Sequence, residues 1–128
     1  MMILGLGTDI VEIARIAAAY QRWGDAFLNR LLLPGEIAYC QSYRNAAPHI
    51  AVRFAAKEAI AKAFGTGIGS ELGWHDLEIT REAGGRPFVR LHGGGLTLFA
   101  ARGARQLHLT LSHAQQYATA TAIVEGQP

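Results

Sequence analysis

FAAKEAIAKAFGTGIG, residues Phe54 to Gly69, is the stretch from which the fold is read. It predicts the end of a long helix over about 50–64, with alanine at 51, 55, 56, 59, 61 and 63. Alanine and aromatic side chains dominate that helix, which implies tight packing. Gly65 is its natural stop. The following Gly65-Thr66-Gly67-Ile68-Gly69 reads as a turn. It lacks the Gly-Lys-Ser/Thr ending of a nucleoside-triphosphate loop. It also follows a helix, whose C-terminal dipole repels phosphate. It can still let a ligand approach the backbone.

Towards the N-terminus, Met2 to Ile10 reads as a strand, with Gly5 and Gly7 marking close backbone approach or a bend. A helical pattern follows, in which Ile13, Ile16, Ala17 and Tyr20 share a face until Gly24-Asp25 breaks it. Phe27 to Leu32 is a short apolar turn or helix. Pro34 opens another helix through about Tyr43, and Asn45 to Pro48 is a break. Towards the C-terminus, Trp74 to Arg81 alternates with Leu77 and Ile79 on one face. Gly84-Gly85 turns the chain back into Pro87 to Leu91. Gly93 to Gly95 reads as a loop and Leu96 to Arg105 as a short helix. Leu107, Leu109 and Leu111 alternate, and Tyr117 to Val124 closes as a last strand. One strand, several helices, then strands with an inserted helix predict an α+β fold with a mostly antiparallel sheet.

The 128 residues fit one domain, 1–128. Apolar residues make up 50% and charged residues 17%, as expected of a soluble globular chain. A formal charge of +2 is too small to imply nucleic acid. Cys40 is the sole cysteine, so no internal disulfide can form, and it reads as a small core residue. No apolar run reaches membrane-helix length, and no signal peptide is evident. These features predict a cytoplasmic protein that binds no membrane.

Few residues offer chemistry. Asp9 ends the first strand, and taken alone it reads more readily as a cap for the next helix than as a metal ligand. Glu58 and Lys62 lie four apart and share a helix face, which an exposed ion pair would explain. Against that, both lysines of the chain, Lys57 and Lys62, fall here, with Arg53 one turn earlier. Magnesium gives a reason to pair Asp9 with Glu58, because it is held by one or two carboxylates plus substrate phosphates. Lys62, Arg53 and Arg44 could then neutralise phosphate oxygens. The five histidines, His49, His75, His92, His108 and His113, show no zinc-type spacing. Ser112 and His113 are neighbours on a strand and point to opposite faces, which disfavours a relay. His113 could contact a ligand.

Three blocks together resemble a known family: GLGTDIVEIARI (Gly5–Ile16), RFAAKEAIAKAFGTGIG (Arg53–Gly69) and LHLTLSHAQQYATATAIVE (Leu107–Glu125). They are similar to the small bacterial phosphopantetheinyl transferases of the holo-[acyl-carrier-protein] synthase type. GWHDLEI and GRPFVRLHG between them also fit, so the likeness spans nearly the whole chain. It implies a single-unit phosphopantetheinyl transferase fold, assembled as a homotrimer with active sites between subunits. It implies transfer of the phosphopantetheine arm of coenzyme A to a serine of apo-acyl-carrier protein. Asp9 and Glu58 match the magnesium ligands, and Lys62 matches a phosphate contact. These three carry the expected catalysis. Arg53, Gly65 and His113 match positions lining the coenzyme A site, with Arg44 near a usual basic position. Arg15 matches a residue that meets the acidic carrier protein, and Arg22 and Arg30 extend that face. The family often places a hydroxyl residue at Leu33-Pro34 as a helix cap, and this chain lacks it. The competing reading is a non-enzymatic module binding coenzyme A or nucleic acid through its arginines. The chain has no basic run with interleaved aromatics, so no nucleic acid partner is expected.

Overall fold

The computed structural model describes residues 1–127. Strand β1 (Met2–Glu12) leads into α1 (Ile13–Trp23), α2 (Asp25–Leu31), α3 (Pro34–Gln41) and the long α4 (Ala47–Phe64). A 3-10 turn, Trp74–Asp76, precedes β2 (Leu77–Arg81) and β3 (Pro87–Leu91). Helix α5 (Gly93–Ala101), β4 (Ala104–His113) and β5 (Tyr117–Gly126) complete the order. β1, β5 and β4 form an antiparallel sheet in that spatial order, and β2 and β3 form a separate hairpin. The α+β class and the antiparallel pairing are as the sequence predicts.

Helix α4 buries 13 of its 18 residues, so it is an interior helix rather than an amphipathic surface one. It lies on the sheet face formed by Gly5, Gly7, Asp9 and Val11 of β1 with Ala118, Ala120, Ala122 and Val124 of β5. A Cβ on Gly5 would fall 1.8 Å from the Ala63 carbonyl oxygen, and one on Gly7 would fall 1.9 Å from that of Ala59. Glycine in the strand and alanine one turn apart in the helix therefore set the helix-to-sheet distance. β4 adds Leu107, Leu109 and Leu111 to the same face, in register with Val124, Ala122 and Ala120.

Helix ends follow local chemistry. Gly65, at φ 77°, ends α4 in the left-handed conformation that glycine tolerates. Helix α4 begins at Ala47, with Pro48 in its first turn, so the expected break at 45–48 is shorter than read. The cap of α3 lacks a hydroxyl, but the Glu36 carboxylate accepts the Leu33 N–H at 2.9 Å. Gly93 to Gly95 is the first turn of α5, not a loop. A Cβ on Gly93 or Gly94 would come within 2.9 Å of the Asp76 carboxylate, so glycine serves close packing there rather than disorder. Helix α5 stops at Ala101, earlier than expected, because Gly103 (φ 70°) turns the chain into β4. Residues 74–76 form the 3-10 turn instead of starting the strand. Cys40 is buried, as predicted. Among the described residues no helix is long and apolar enough to cross a membrane.

Candidate active site

Asp9 points from β1 towards α4, with 15% of its side chain exposed. Lys62, in the last turn of α4, places its ammonium 3.0 Å from Asp9 Oδ1 and 3.0 Å from the Thr8 carbonyl oxygen. Glu58 stands one turn before Lys62 on the same helix face. Its carboxyl is pushed above the usual range, first by burial and then by the nearby Asp9 charge, with Lys62 opposing. Residues 49 positions apart in sequence thus meet at one point between strand edge and helix. Two local expectations give way here. Helix α1 is preceded by Glu12 and has no side-chain cap, so Asp9 is not its cap. Lys62 reaches across to Asp9, which a simple ion pair within α4 would not require.

Two carboxylates that repel one another, beside a main-chain carbonyl, gather hard oxygen donors in one place. The Lys62 ammonium answers two of those oxygens. Among the described residues no three His, Cys, Asp or Glu side chains cluster as an all-protein metal cage. This donor set fits magnesium, which accepts few protein oxygens and completes its octahedron with water and phosphate.

Lys57 does not join this group. It faces away, fully buried, and donates to Leu31 O at 2.8 Å, Glu36 Oε1 at 2.8 Å and Trp74 O at 3.0 Å. The positive charge that the sequence concentrates beside Glu58 is therefore divided between two sides of α4. Arg53 lies one turn before Lys57, 2% exposed, with its guanidinium 4.2 Å over the Tyr39 ring. It donates to the His49 carbonyl at 3.2 Å, and its Nε has no partner. Exposed His113 ends β4, and its ring meets His49 edge-on at 5.9 Å. Burial pushes the His49 imidazole below its usual value, helped by the charges of Arg53, His113 and Arg81. The structure thus groups Asp9, Glu58 and Lys62 at the β1 edge, and Arg53 and His113 near the His49 ring. Gly65 closes α4 three residues beyond Lys62, and a Cβ there would meet nothing within 4 Å.

Arg44 lines a pocket of about 470 Å³ with Tyr20 and Gln41, where α1 meets the start of α4. Arg15, Arg22 and Arg30 are exposed on α1 and α2. Arg22 stacks 4.8 Å over Trp23. Arg30 borders an apolar slot of about 460 Å³ with Ala19, Trp23, Ala26 and Phe27.

A family model described as the 4′-phosphopantetheinyl transferase superfamily matches residues 5–122. The chain belongs to this family. A relative named holo-[acyl-carrier-protein] synthase, from Koribacter versatilis, is 52% identical over 124 residues, covering 97% of this chain and 99% of its own. One of the same name from Yersinia pestis is 46% identical over 125 residues, covering 98% and 99%. The holo-[acyl-carrier-protein] synthase crystal structure from Neisseria meningitidis superposes with a TM-score of 0.91 at 33% identity, over 97% of this chain and 99% of that one. The Helicobacter pylori enzyme in complex with coenzyme A gives 0.84 at 34% identity, over 94% and 99%.

Within this phosphopantetheinyl transferase chain, sequence reasoning missed two features. One is the apolar slot between Trp23 and Arg30, signalled only by Trp23 lying off the buried Ile13–Ile16 stripe of α1. The other is the ring group Tyr39, Tyr43 and His49 beside His113. Its members come from three elements, and no local spacing announces it.

Proposed function

We propose that this chain, as a single transferase unit over 1–128, moves the 4′-phosphopantetheine arm of coenzyme A to a serine of apo-acyl-carrier protein. The observation that carries the reading is the meeting of Asp9, Glu58 and Lys62 at one oxygen-rich point. In the reaction the carrier serine Oγ bonds to the β-phosphorus of coenzyme A. The bond from that phosphorus to the bridging oxygen breaks, and 3′,5′-ADP leaves with the electron pair. Glu58, directly or through a water, takes the serine proton. The Lys62 ammonium balances charge on the diphosphate. Magnesium held by Asp9 and Glu58 supplies further charge neutralisation at the diphosphate when bound. The nucleophile belongs to the partner, so this chain needs none of its own.

Arg53, His113, Gly65 and Arg44 line the coenzyme A site in this reading. Arg15, Arg22 and Arg30 receive the acidic carrier, setting encounter rate and specificity. A homotrimer in the cytoplasm, with each site completed by a neighbouring copy, is the assembly. Two features support it. Asp9 and His113 stand on opposite edge strands, two strand spacings or roughly 10 Å apart across the sheet. The sheet face away from α4 exposes Leu6 and Ile10, at 65% and 63%, an apolar surface suited to another copy.

Mass spectrometry of apo-acyl-carrier protein incubated with this chain, coenzyme A and magnesium tests the reading. The carrier gains the mass of the phosphopantetheine arm, and chelator prevents it. An unchanged carrier mass under these conditions removes the proposal.

A further inference from the structure

The rings beside His113 form a connected platform that the reaction above leaves unused. His49 lies flat against Tyr43, with centroids 3.6 Å apart and planes 19° apart. Tyr39 packs edge-on against Tyr43 at 5.4 Å and against His49 at 6.1 Å. The Tyr39 and Tyr43 hydroxyls lie 3.1 Å apart. Arg81 Nε donates to the Tyr39 hydroxyl at 3.2 Å, while its Nη1 donates to the Gly85 carbonyl at 2.7 Å. Arg53 supports the platform through the Tyr39 face and the His49 carbonyl. Hairpin, α3 and α4 thereby hold the His49 ring from several directions. Among the described residues His49 is the ring partner of His113, at 5.9 Å and 73°.

An exposed imidazole at a strand end samples several rotamers. A fixed ring beside it selects among them before a ligand arrives, which lowers the ordering cost of binding. We propose that His49 is a positioning residue that holds the His113 imidazole in the orientation used to meet an anionic group of coenzyme A. The inference rests on the reading that puts His113 on the coenzyme A site. Lys62, Asp9 and Glu58 are untouched by it, so its signature is in substrate affinity.

Steady-state transfer from coenzyme A to apo-acyl-carrier protein is measured for the wild type, His49→Ala, His49→Phe, His113→Ala and the double alanine variant, with a thermal melt of each. His113→Ala raises KM for coenzyme A. His49→Ala raises it about threefold to tenfold, the size of a lost ring pair, while kcat falls by less. His49→Phe restores an aromatic face and returns KM to within about twofold of wild type. The double variant matches His113→Ala alone, because His49 acts through His113. A merely structural role would lower the melting temperature and the active fraction without moving KM. The proposal is overturned if His49→Ala leaves KM unchanged while His113→Ala raises it, or if the two effects multiply. An unchanged KM in His113→Ala removes the placement of His113 and the proposal with it. Absence of transfer by the wild type removes the activity itself.

Discussion

Replacing Lys57 by methionine tests how the carboxylate-bearing helix is anchored. Lys57 and Glu36 form an ion pair at 2.8 Å with both side chains fully buried. Burial pushes the Lys57 ammonium below its usual value, and the Glu36 carboxylate opposes that shift. Glu36 also accepts the Leu33 N–H at 2.9 Å and the Ile79 N–H at 2.9 Å. One cation therefore ties α4 to the end of α2, to α3, to the 3-10 turn and, through Glu36, to β2. Lys57→Met leaves Glu36 buried without its counter-charge and strips a donor from the Leu31 and Trp74 carbonyls. Removing one partner of a buried pair costs about 3–5 kcal/mol. A domain of this size has only about 5–15 kcal/mol in total. The expected fall in melting temperature is roughly 10–20 °C. A thermal melt followed by circular dichroism measures that fall, and urea denaturation measures the free-energy loss. Lys57→Met with Glu36→Gln should recover at least about 1 kcal/mol relative to Lys57→Met, because the uncompensated charge is gone. A Lys57→Met protein within about 1 kcal/mol of wild type would refute the anchoring role.

Gly7→Ala puts a Cβ 1.9 Å from the Ala59 carbonyl. It should cost about 3 kcal/mol or more, and Gly84→Ala, which meets nothing within 4 Å, should cost little. Denaturant midpoints of the two variants compare them, and equal losses would contradict the close β1–α4 contact. Glu58→Gln should abolish carrier modification in a folded protein. The raised carboxyl of Glu58 means its ionised form opposes folding, a cost absent below the ordinary value of 4.5 and present at neutral pH. Glu58→Gln should therefore be at least as stable as wild type at pH 7.5, and a clear loss of stability there would contradict this. His49 carries the opposite pH signature. Its lowered imidazole makes stability decline as pH drops below the ordinary value of 6.5, where the unfolded chain takes up the proton first. His49→Phe should flatten the decline in stability below pH 6.5, and an unchanged slope would count against the burial of His49.

Much of the fold was legible because periodicity and glycine carry it. The alanines of α4 with Gly5 and Gly7 announced close packing, and Gly65 announced the helix end. Leu107, Leu109 and Leu111 declared the inward face of β4. What stayed hidden depends on long-range partners. Lys57 and Lys62 are five apart, which turns them roughly 140° from one another on a helix. Spacing alone could not say which reaches a carboxylate, or that the carboxylate of Lys57 belongs to Glu36. Gly93 to Gly95 read as a loop because Asp76, whose carboxylate crowds Gly93 and Gly94 and whose main-chain carbonyl crowds Gly95, lies well upstream. In the candidate site, Asp9 and Glu58 were paired through chemistry and family likeness. The geometry added the Lys62 bridge to Asp9 and Thr8 and the ring platform behind His113.

Calorimetric titration of coenzyme A into wild type and Asp9→Asn, each with and without magnesium, addresses the shared divalent ion most directly. Magnesium should tighten binding to the wild type roughly tenfold or more, and Asp9→Asn should bind equally weakly in both conditions. The same magnesium-dependent gain in Asp9→Asn as in wild type would contradict the account.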